Sequence, residues 1–238
     1  MIRPVELFAA ETGMDHEKTN EKEELRRRII ESIIWDGRID AHNIQVDIYD
    51  STVCLSGTVS NWFSRKFAED DAWSAGGGIK FVKNDIEVRS TEGPAPDDNQ
   101  IQSMINSALQ WNPEINSDMV SAQVKEGVVR LSGSTDSYWC KMHVEEVVAD
   151  LRGVVRIINE ITVVPTRDLL DQAIAEHIVE ELKNNPDIPL ESIDIKVELG
   201  KLTISGSVPD WRTFKAVQSM AERMLGIRDI DNRLIIMP

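Results

Sequence analysis

A threefold internal repeat constrains this chain more than any other feature. Three Ser-Gly pairs, each at the end of a run typical of a β-strand, mark the copies, and an aromatic residue follows each Gly by five positions. About twenty residues after each Gly comes another Gly, and six residues later an Asn. The anchors are Ser56-Gly57, Ser132-Gly133 and Ser205-Gly206, with the aromatics Trp62, Tyr138 and Trp211, the second glycines Gly78, Gly153 and Gly226, and Asn84, Asn159 and Asn232. This spacing divides the 238 residues into three small domains.

The repeat extends to the apolar positions, which predict the core. When the copies are superposed, the same columns are apolar in all three, in the regions of two helices and three strands. Examples are Ile29/Ile105/Ile178, Leu55/Leu131/Ile204 and Ala72/Val148/Ala221. Coincident columns of this kind indicate one folding unit repeated, with its buried positions retained.

The second copy shows the element order most clearly. Ile101, Ile105 and Leu109 recur every fourth residue, which predicts an amphipathic helix that ends before Pro113. Two alternating runs then follow, joined by a turn that contains Gly127. Ser137, a good N-cap residue, begins a second helix, and a last strand follows. The equivalent turn position in the first copy is Ser51, so we expect that hairpin to be turned differently or strained.

These patterns predict an α+β fold of three tandem αββαβ modules, each a three-stranded mixed sheet covered on one face by two helices. Polar residues occupy the alternate strand positions, which leaves the other face of each sheet in solvent. The predicted parts are an acidic N-terminal tail (1–24), module 1 (25–89), a linker (90–100), module 2 (101–164) and module 3 (170–238). Because the linker is rich in Pro, Gly and acids, we expect modules 2 and 3 to form a tight pair, with module 1 tethered and the linker cleaved first by proteases.

The chain resembles the BON domain family, named after a bacterial osmotically inducible protein and nodulation proteins. The resemblance rests on the order α-β-β-α-β, the Val-x-Leu-Ser-Gly-x-Val run from Val53 to Val59, the aromatic residue after the Gly, and the closing strand through the Asn. It covers nearly all of the chain except the N-terminal tail. It implies non-catalytic modules associated with membranes or with osmotic and stress responses.

Composition bears on the class of partner and on the compartment. The formal net charge of −15 disfavours nucleic acid and anionic lipid as partners. We find neither a secretory signal nor an apolar run long enough to span a membrane, so we expect a cytoplasmic protein. The two cysteines, Cys54 and Cys140, occupy non-equivalent positions and do not indicate a disulfide framework.

The residue types needed for catalysis do not converge in this sequence. His16, His42, His143 and His177 fall at unrelated positions of the repeat, which favours neither a metal site nor a catalytic triad. Cys140 precedes His143 by three residues on a helix, but no third group is placed to orient them. We therefore predict no catalytic residue, no metal site and no cofactor.

The aromatic residues at the start of each second helix are the candidate binding residues. They are Trp62, Phe63, Tyr138, Trp139 and Trp211. Each of the three repeated aromatics suits either a structural position between sheet and helix or an interface, since it is apolar with a polar tip. A helix cannot bury both members of an adjacent pair on one narrow face. We therefore expect Trp62 and Trp211 to be structural, and Phe63 and Trp139 to be exposed.

The sequence thus favours a non-catalytic interaction or scaffold protein, in a bacterial osmotic or envelope stress response. The alternative is a peripheral phospholipid-binding protein that uses the aromatic helix ends. A sensor of a small ligand or cation is a weaker alternative. The identity of an unknown protein partner is not readable from the chain.

Overall fold

A computed structural model describes residues 8–76, 78–89, 95–165, 170–185 and 188–237. Its helices are α1 (Phe8–Trp35), α2 (Trp62–Ser74), α3 (Asp98–Trp111), α4 (Tyr138–Ala149), α5 (Asp171–Lys183) and α6 (Trp211–Glu222). Its strands are β1 (Ile44–Tyr49), β2 (Thr52–Val59), β3 (Phe81–Val88), β4 (Val120–Lys125), β5 (Val128–Thr135), β6 (Arg156–Asn159), β7 (Thr162–Val163), β8 (Ile193–Glu198), β9 (Lys201–Val208) and β10 (Asp229–Ile236). The predicted order α-β-β-α-β occurs three times, which confirms the α+β fold.

Two segments differ from the boundaries expected from sequence. The segment 1–24 was expected to be a separate tail, yet α1 begins at Phe8 and runs without a break into module 1. Its Ala, Glu and Lys residues are strong helix formers, which favours this continuation. The predicted linker 90–100 also overlaps α3, because Asp97 and Gln100 form a capping box that starts the helix at Asp98. Residues 1–7 and 90–94 lie outside the described residues, and the module boundaries stay predictions.

Each module contains one three-stranded mixed sheet with the second strand in the middle. In module 1, β1 pairs with β2 antiparallel, and β2 pairs with β3 parallel. The same pattern joins β8, β9 and β10 in module 3. In module 2 the last strand is divided into β6 and β7, and both pieces pair in parallel with β5.

The Gly of each Ser-Gly pair is required by a close backbone approach. Gly57, Gly133 and Gly206 all have φ between 116 and 124°. A Cβ atom at Gly57 would overlap the carbonyl oxygen of Asn43, and equivalent overlaps would occur at the other two glycines. Because side chains rarely adopt this φ and have no space here, the repeat retains Gly at all three positions.

Each module has its own hydrophobic core between the sheet and its two helices. The fully buried side chains of module 1 include Ile29 and Leu55, those of module 2 Ile105 and Leu131, and those of module 3 Ile178 and Ile204. The buried residues of each cluster all come from one module. Each core is therefore built from the buried residues of a single module.

The second helices begin at the predicted N-caps. The side chains of Asn61, Ser137 and Asp210 accept hydrogen bonds from the backbone N–H groups of Ser64, Cys140 and Thr213, respectively. These bonds satisfy donors that the first turn of a helix leaves free, so the aromatic residue that follows each cap occupies the first helical position.

The hairpin turns differ between module 1 and the other two modules. In modules 2 and 3 both turn residues have positive φ, and their N–H groups bind the carboxylates of Asp98 and Asp171 at the start of the first helix. In module 1 only the first turn residue, Asp50, has positive φ, and Lys22 lies near its carboxylate at 3.4 Å. The different turn expected from Ser51 is therefore confirmed.

The repeated Asn joins the last strand to the second helix. In module 1 the Asn84 Nδ2 donates to the Arg65 carbonyl oxygen and to Glu69, and its Oδ1 accepts from the Ile86 N–H. Asn159 repeats this pattern with Lys141, Glu145 and Ile161. In module 3, Gln218 stands where the other modules have Glu, and it donates to Glu222 instead. The buried Nδ2 of Asn232 has no partner.

We predict that Asn84→Ala and Asn159→Ala each lower the free energy of unfolding by about 1 kcal/mol more than Asn232→Ala does. All three substitutions remove the same Oδ1 acceptor, but only the first two also remove hydrogen bonds donated by Nδ2. Urea unfolding of the three variants measures the difference. Equal losses would contradict the assigned role of the amide group.

Candidate functional site

The three repeated aromatics lie between modules. Trp62, Tyr138 and Trp211 are the first residues of α2, α4 and α6, and all three are partly buried. Within their own modules, Trp211 stacks on Phe214 at 4.8 Å and the Arg65 guanidinium lies over the Trp62 ring. Each of the three contacts a neighbouring module, as the following interfaces show.

Trp62 joins module 1 to module 2. Its side chain packs against the core cluster of module 2. Beside it, the Asn61 Nδ2 donates to the carbonyl oxygen of Asp150 at 3.3 Å. Asp150 is the C-cap of α4, so the start of α2 meets the end of α4.

Tyr138 joins module 2 to module 3 in the same way. It packs against the core cluster of module 3. Burial raises the pKa of Tyr138 to about 12, and the nearby carboxylates of Glu222 and Asp229 add to the rise. Glu222 is the last residue of α6, so the start of α4 meets the end of α6.

Trp211 completes the set by joining module 3 to module 1. Its ring stacks on that of Trp73 near the end of α2, with 5.4 Å between centroids and 17° between planes. The Lys215 Nζ lies 2.9 Å from an oxygen of Asp70 across the same interface. The start of α6 therefore meets the end of α2.

The three second helices thus form a closed cyclic arrangement, which we call the ring. α2 contacts α4, α4 contacts α6, and α6 contacts α2. The expectation that modules 2 and 3 pair tightly while module 1 is only tethered is wrong. It was based on linker composition, whereas in the structure α2 of module 1 contacts the second helices of both other modules.

One helix position explains why the three interfaces differ. The residue sixteen positions after the Ser-Gly glycine is Trp73 in module 1, Ala149 in module 2 and Glu222 in module 3. Trp73 stacks on Trp211, and Glu222 lies near the Tyr138 hydroxyl. The residue that receives the aromatic is thus different at each interface, although the aromatic position is repeated.

Phe63 and Trp139 were expected to be exposed, but both are partly buried. The ring of Phe63 lies 4.2 Å from that of Phe67, and the ring of Trp139 stacks on His143 at 4.8 Å. Contacts within the same helix therefore cover the second member of each doublet. A helix surface can shield a ring in this way because residues four apart are neighbours.

A cavity of about 280 Å³ lies where the three second helices meet. Apolar side chains line part of it, and charged ones the rest, on all three helices. The lining includes Trp62, Phe63, Lys66 and Asp70 of α2, Met142, Glu145 and Glu146 of α4, and Lys215, Gln218 and Glu222 of α6. The mixed charges do not select one class of ligand.

Among the carboxyl groups near the ring of second helices, that of Asp71 on α2 has the pKa that departs most from its ordinary value. Burial raises its pKa to about 6, and the neighbouring charge of Asp36 adds to the rise. Arg38 and a hydrogen bond with Ser32 oppose it, while the Asp71 Oδ2 is buried without a partner. Arg38 itself is paired with Asp36 at 2.6 Å and lies over the Phe67 ring.

The remaining chemical candidates have structural contacts, and Cys140 and His143 both contact Glu114. His42 pairs with Asp40, and His143 contacts Asn112 and Glu114. Burial raises the pKa of the Cys140 thiol, which favours the unreactive protonated form. Among the side chains that the structure describes, no group of three His, Cys, Asp or Glu residues is placed to hold a metal ion. No helix in the described ranges combines the length and apolar character of a membrane span.

Two exposed tryptophans were not predicted as candidate binding residues from the sequence. Trp35 and Trp111 are the last residues of α1 and α3, and each exposes 85% of its surface. They occupy equivalent positions in the first two copies, where the third has Asn184. The sequence did contain a signal for their exposure. Trp35 and Trp111 each follow the last apolar residue of the buried helix stripe, Ile33 or Leu109, by two positions, which places them on a different face of the helix.

Comparisons with known proteins identify the modules. The family model described as BON domain matches residues 21–90, 97–165 and 170–238. No curated protein matches the chain. Among solved structures, a structural protein of the type III secretion system of Chlamydia trachomatis, CdsD, is 16% identical over 90% of this chain and 93% of its own, with a TM-score of 0.27. The PrgH periplasmic domain is 13% identical over 82% of this chain and 95% of its own, with a TM-score of 0.21. With TM-scores this low, neither the module arrangement nor the function follows from these two structures.

We predict that Asp71→Asn raises the free energy of unfolding by about 1 kcal/mol at pH 8, after solvent screening is allowed for, and has little effect at pH 4. The pKa of Asp71 in the folded state lies above its ordinary value of 3.8, so the folded protein binds this proton more tightly than the unfolded chain does. The stability that the bound proton contributes is therefore complete below about pH 4 and is lost as the pH rises through 6. Urea unfolding at both pH values measures it. Asp47→Asn, on the exposed face of β1, controls for net charge, and an equal gain at both pH values would contradict the prediction.

We also predict that Trp62→Ala and Trp211→Ala each lower stability by about 2 kcal/mol, less than a fully buried tryptophan would cost. Each leaves the module that it contacts with an uncovered apolar surface. Trp35→Ala, at an exposed position, should change stability by less than about 0.5 kcal/mol. Thermal melts compare the three variants, and a similarly small loss for all of them would argue against the interfaces.

Proposed function

The chain belongs to the BON domain family, with three copies of the domain in tandem, and we propose that it is a non-catalytic interaction protein that binds a protein partner through Trp35 and Trp111. The observation that carries this proposal is the 85% exposure of both side chains at equivalent positions. Tryptophan is enriched at protein interfaces, where it often supplies much of the binding energy. We place the role in a bacterial osmotic or envelope stress response, as the family resemblance implies, and its cytoplasmic location stays a prediction.

The cyclic arrangement supports a common surface for the two tryptophans. Modules related by rotation present equivalent positions on the same side of the ring. The mutual contacts of the three second helices are consistent with such a rotation, so we expect Trp35 and Trp111 to lie on the same side, with exposed Ile34 next to Trp35 in the sequence. We call this surface the tryptophan face. The five aromatics first proposed as binding residues serve the interfaces and helix contacts described above, which leaves the tryptophan face as the better candidate.

Charge favours a protein partner over an acidic membrane. The chain has a net charge of −15, and exposed Glu114 and Asp118 follow Trp111 in the sequence. A partner with an apolar centre and a basic rim would complement this surface. Phospholipid binding is the second candidate, because exposed indole rings suit the boundary between headgroups and acyl chains. On charge, a zwitterionic membrane would suit it better than an anionic one.

The test compares the double variant Trp35→Ser/Trp111→Ser with the wild type as immobilised baits for native lysate. We expect the double variant to retain the fold. We also expect it to capture at least about tenfold less of a specific bound protein than the wild type does, because the interface anchors are lost. The matched control is Tyr49→Ser/Phe81→Ser, which removes two exposed aromatics that flank Thr52 on the open face of the first sheet.

Three outcomes would overturn the proposal or redirect it. Retention of the same proteins by the tryptophan variant would exclude the tryptophan face, as would an equal loss in the control. Co-sedimentation with phosphatidylcholine vesicles that is lost only in the tryptophan variant would favour the lipid alternative. Vesicles that contain phosphatidylglycerol show whether negative lipid charge weakens that binding.

A further inference from the structure

We propose that module 1 can be exchanged between two copies of this chain, so that each copy completes the ring of the other in a reciprocal dimer. When module 1 leaves its ring, the interface surfaces of the ring become exposed. A second copy of the chain carries the module that fits these surfaces. This inference does not depend on the proposed function. It follows from how the modules close their cores, how they contact each other, and how the chain joins them.

Exchange requires no unfolding, because the core of module 1 is closed. Its buried cluster, which includes Ile29, Leu55 and Ala68, consists only of residues of module 1. The buried residues of the other two clusters also come from one module each, and Tyr138 and Trp62 pack against these clusters from the neighbouring module. Module 1 can therefore leave and rejoin a ring as a folded unit, exposing only the surfaces of its two interfaces.

The interface between modules 1 and 3 is held without any direct chain connection. Among the described residues, its contacts include the Trp73–Trp211 stack and the Lys215–Asp70 ion pair. A cleft of about 230 Å³ remains between the two modules, lined by both indole rings, Gly76 and Arg212. This incomplete packing means that less dispersion and hydrophobic stabilisation opposes opening here than in a filled core.

Among the described residues, the interface between modules 1 and 2 includes one docked aromatic, polar contacts, and a cleft that Val88 and Arg89 line together with Gly153 and Val155. Trp62 packs against module 2, and Asn61 bonds to Asp150.

The chain joins the modules through residues 90–96, because the Arg89 N–H bonds to the Val59 carbonyl oxygen in module 1 and Asp97 caps α3 in module 2. A joint of seven residues spans at most about 23 Å. This length is most of the diameter of one module of this size, so module 1 can reach a ring that lies directly beside its own.

A second copy presents the same complementary surfaces in the same geometry. If two chains exchange module 1, each new ring again contains one module of each type and all three interfaces. The exchange is reciprocal and closes as a dimer, without free surfaces that would extend into a filament. At low concentration the intramolecular arrangement is favoured, because the joint keeps the effective concentration of module 1 high.

The experiment reverses the charges of the ion pair in separate chains. Asp70→Lys opposes Lys215 within one chain, and Lys215→Asp opposes Asp70 within the other. When the two variants are mixed, exchange of module 1 places opposite charges together in both rings. One variant is isotopically labelled, the mixture is warmed mildly under reducing conditions, and native mass spectrometry counts the dimers that contain one chain of each.

We expect the mixture to contain at least about ten times more dimer than either variant alone, all of it carrying one chain of each kind. The control is the double variant Asp70→Lys/Lys215→Asp, which restores the pair within one chain and should stay monomeric under the same conditions. A mixture that remains monomeric would overturn the proposal. Equal amounts of dimer in the mixture and in the single variants would also overturn it.

A second measurement keeps the proposal testable if a charge-reversed chain does not fold. Labelled and unlabelled wild type are mixed at about 1 mM, a concentration near the effective concentration that a short joint provides. Dimers of mixed mass that separate slowly on dilution support exchange. Absence of mixed dimers, or their persistence in Trp62→Ala/Trp211→Ala, in which both interfaces of module 1 are weakened, would contradict it.

Discussion

The contact between the first residue of each second helix and the adjacent module is the interaction on which the rest of this structure depends. An N-cap fixes that residue at the start of the helix, and the helix in turn is fixed by the core of its own module. The aromatic therefore projects in the same direction from all three copies. Because each start meets the end of the next second helix, opposite ends of the helix dipoles also face each other, which is favourable. A local capping preference is thus converted into a specific arrangement of whole modules.

Much of the fold could be predicted because its determinants are local or repeated. The glycine of each Ser-Gly pair, the caps Asn61, Ser137 and Asp210, and the apolar columns all follow from backbone sterics, hydrogen bonding and periodicity within one copy. The alternation of strand residues correctly indicated one covered and one open sheet face. The start of α1 was missed for a related reason. Its charged residues resemble a solvated tail in composition, yet they also have high intrinsic helix propensity.

The arrangement of the modules could not be predicted in the same way. The partner of each aromatic is contributed by another copy, and Trp73, Ala149 and Glu222 share a position without sharing chemistry. A search for repeated columns passes over such a position because it varies. Asp71 is similar: its raised pKa results first from burial and then from the charge of Asp36, and no spacing along one helix reveals either cause. For the candidate site, the sequence identified the aromatics but not whether a partner or the chain itself covers them.

The closed ring also fixes the number of modules in the chain. Solenoid proteins grow by adding repeats, since each new unit contacts only its neighbours and the ends stay open. Here the last module contacts the first, so a fourth copy inserted between any two would need a different angle at every junction and would separate Trp73 from Trp211. Gene duplication within this chain therefore faces a geometric barrier that open repeat arrays do not. Length variation among proteins with this arrangement should be confined to loops and termini, while the count of three is retained.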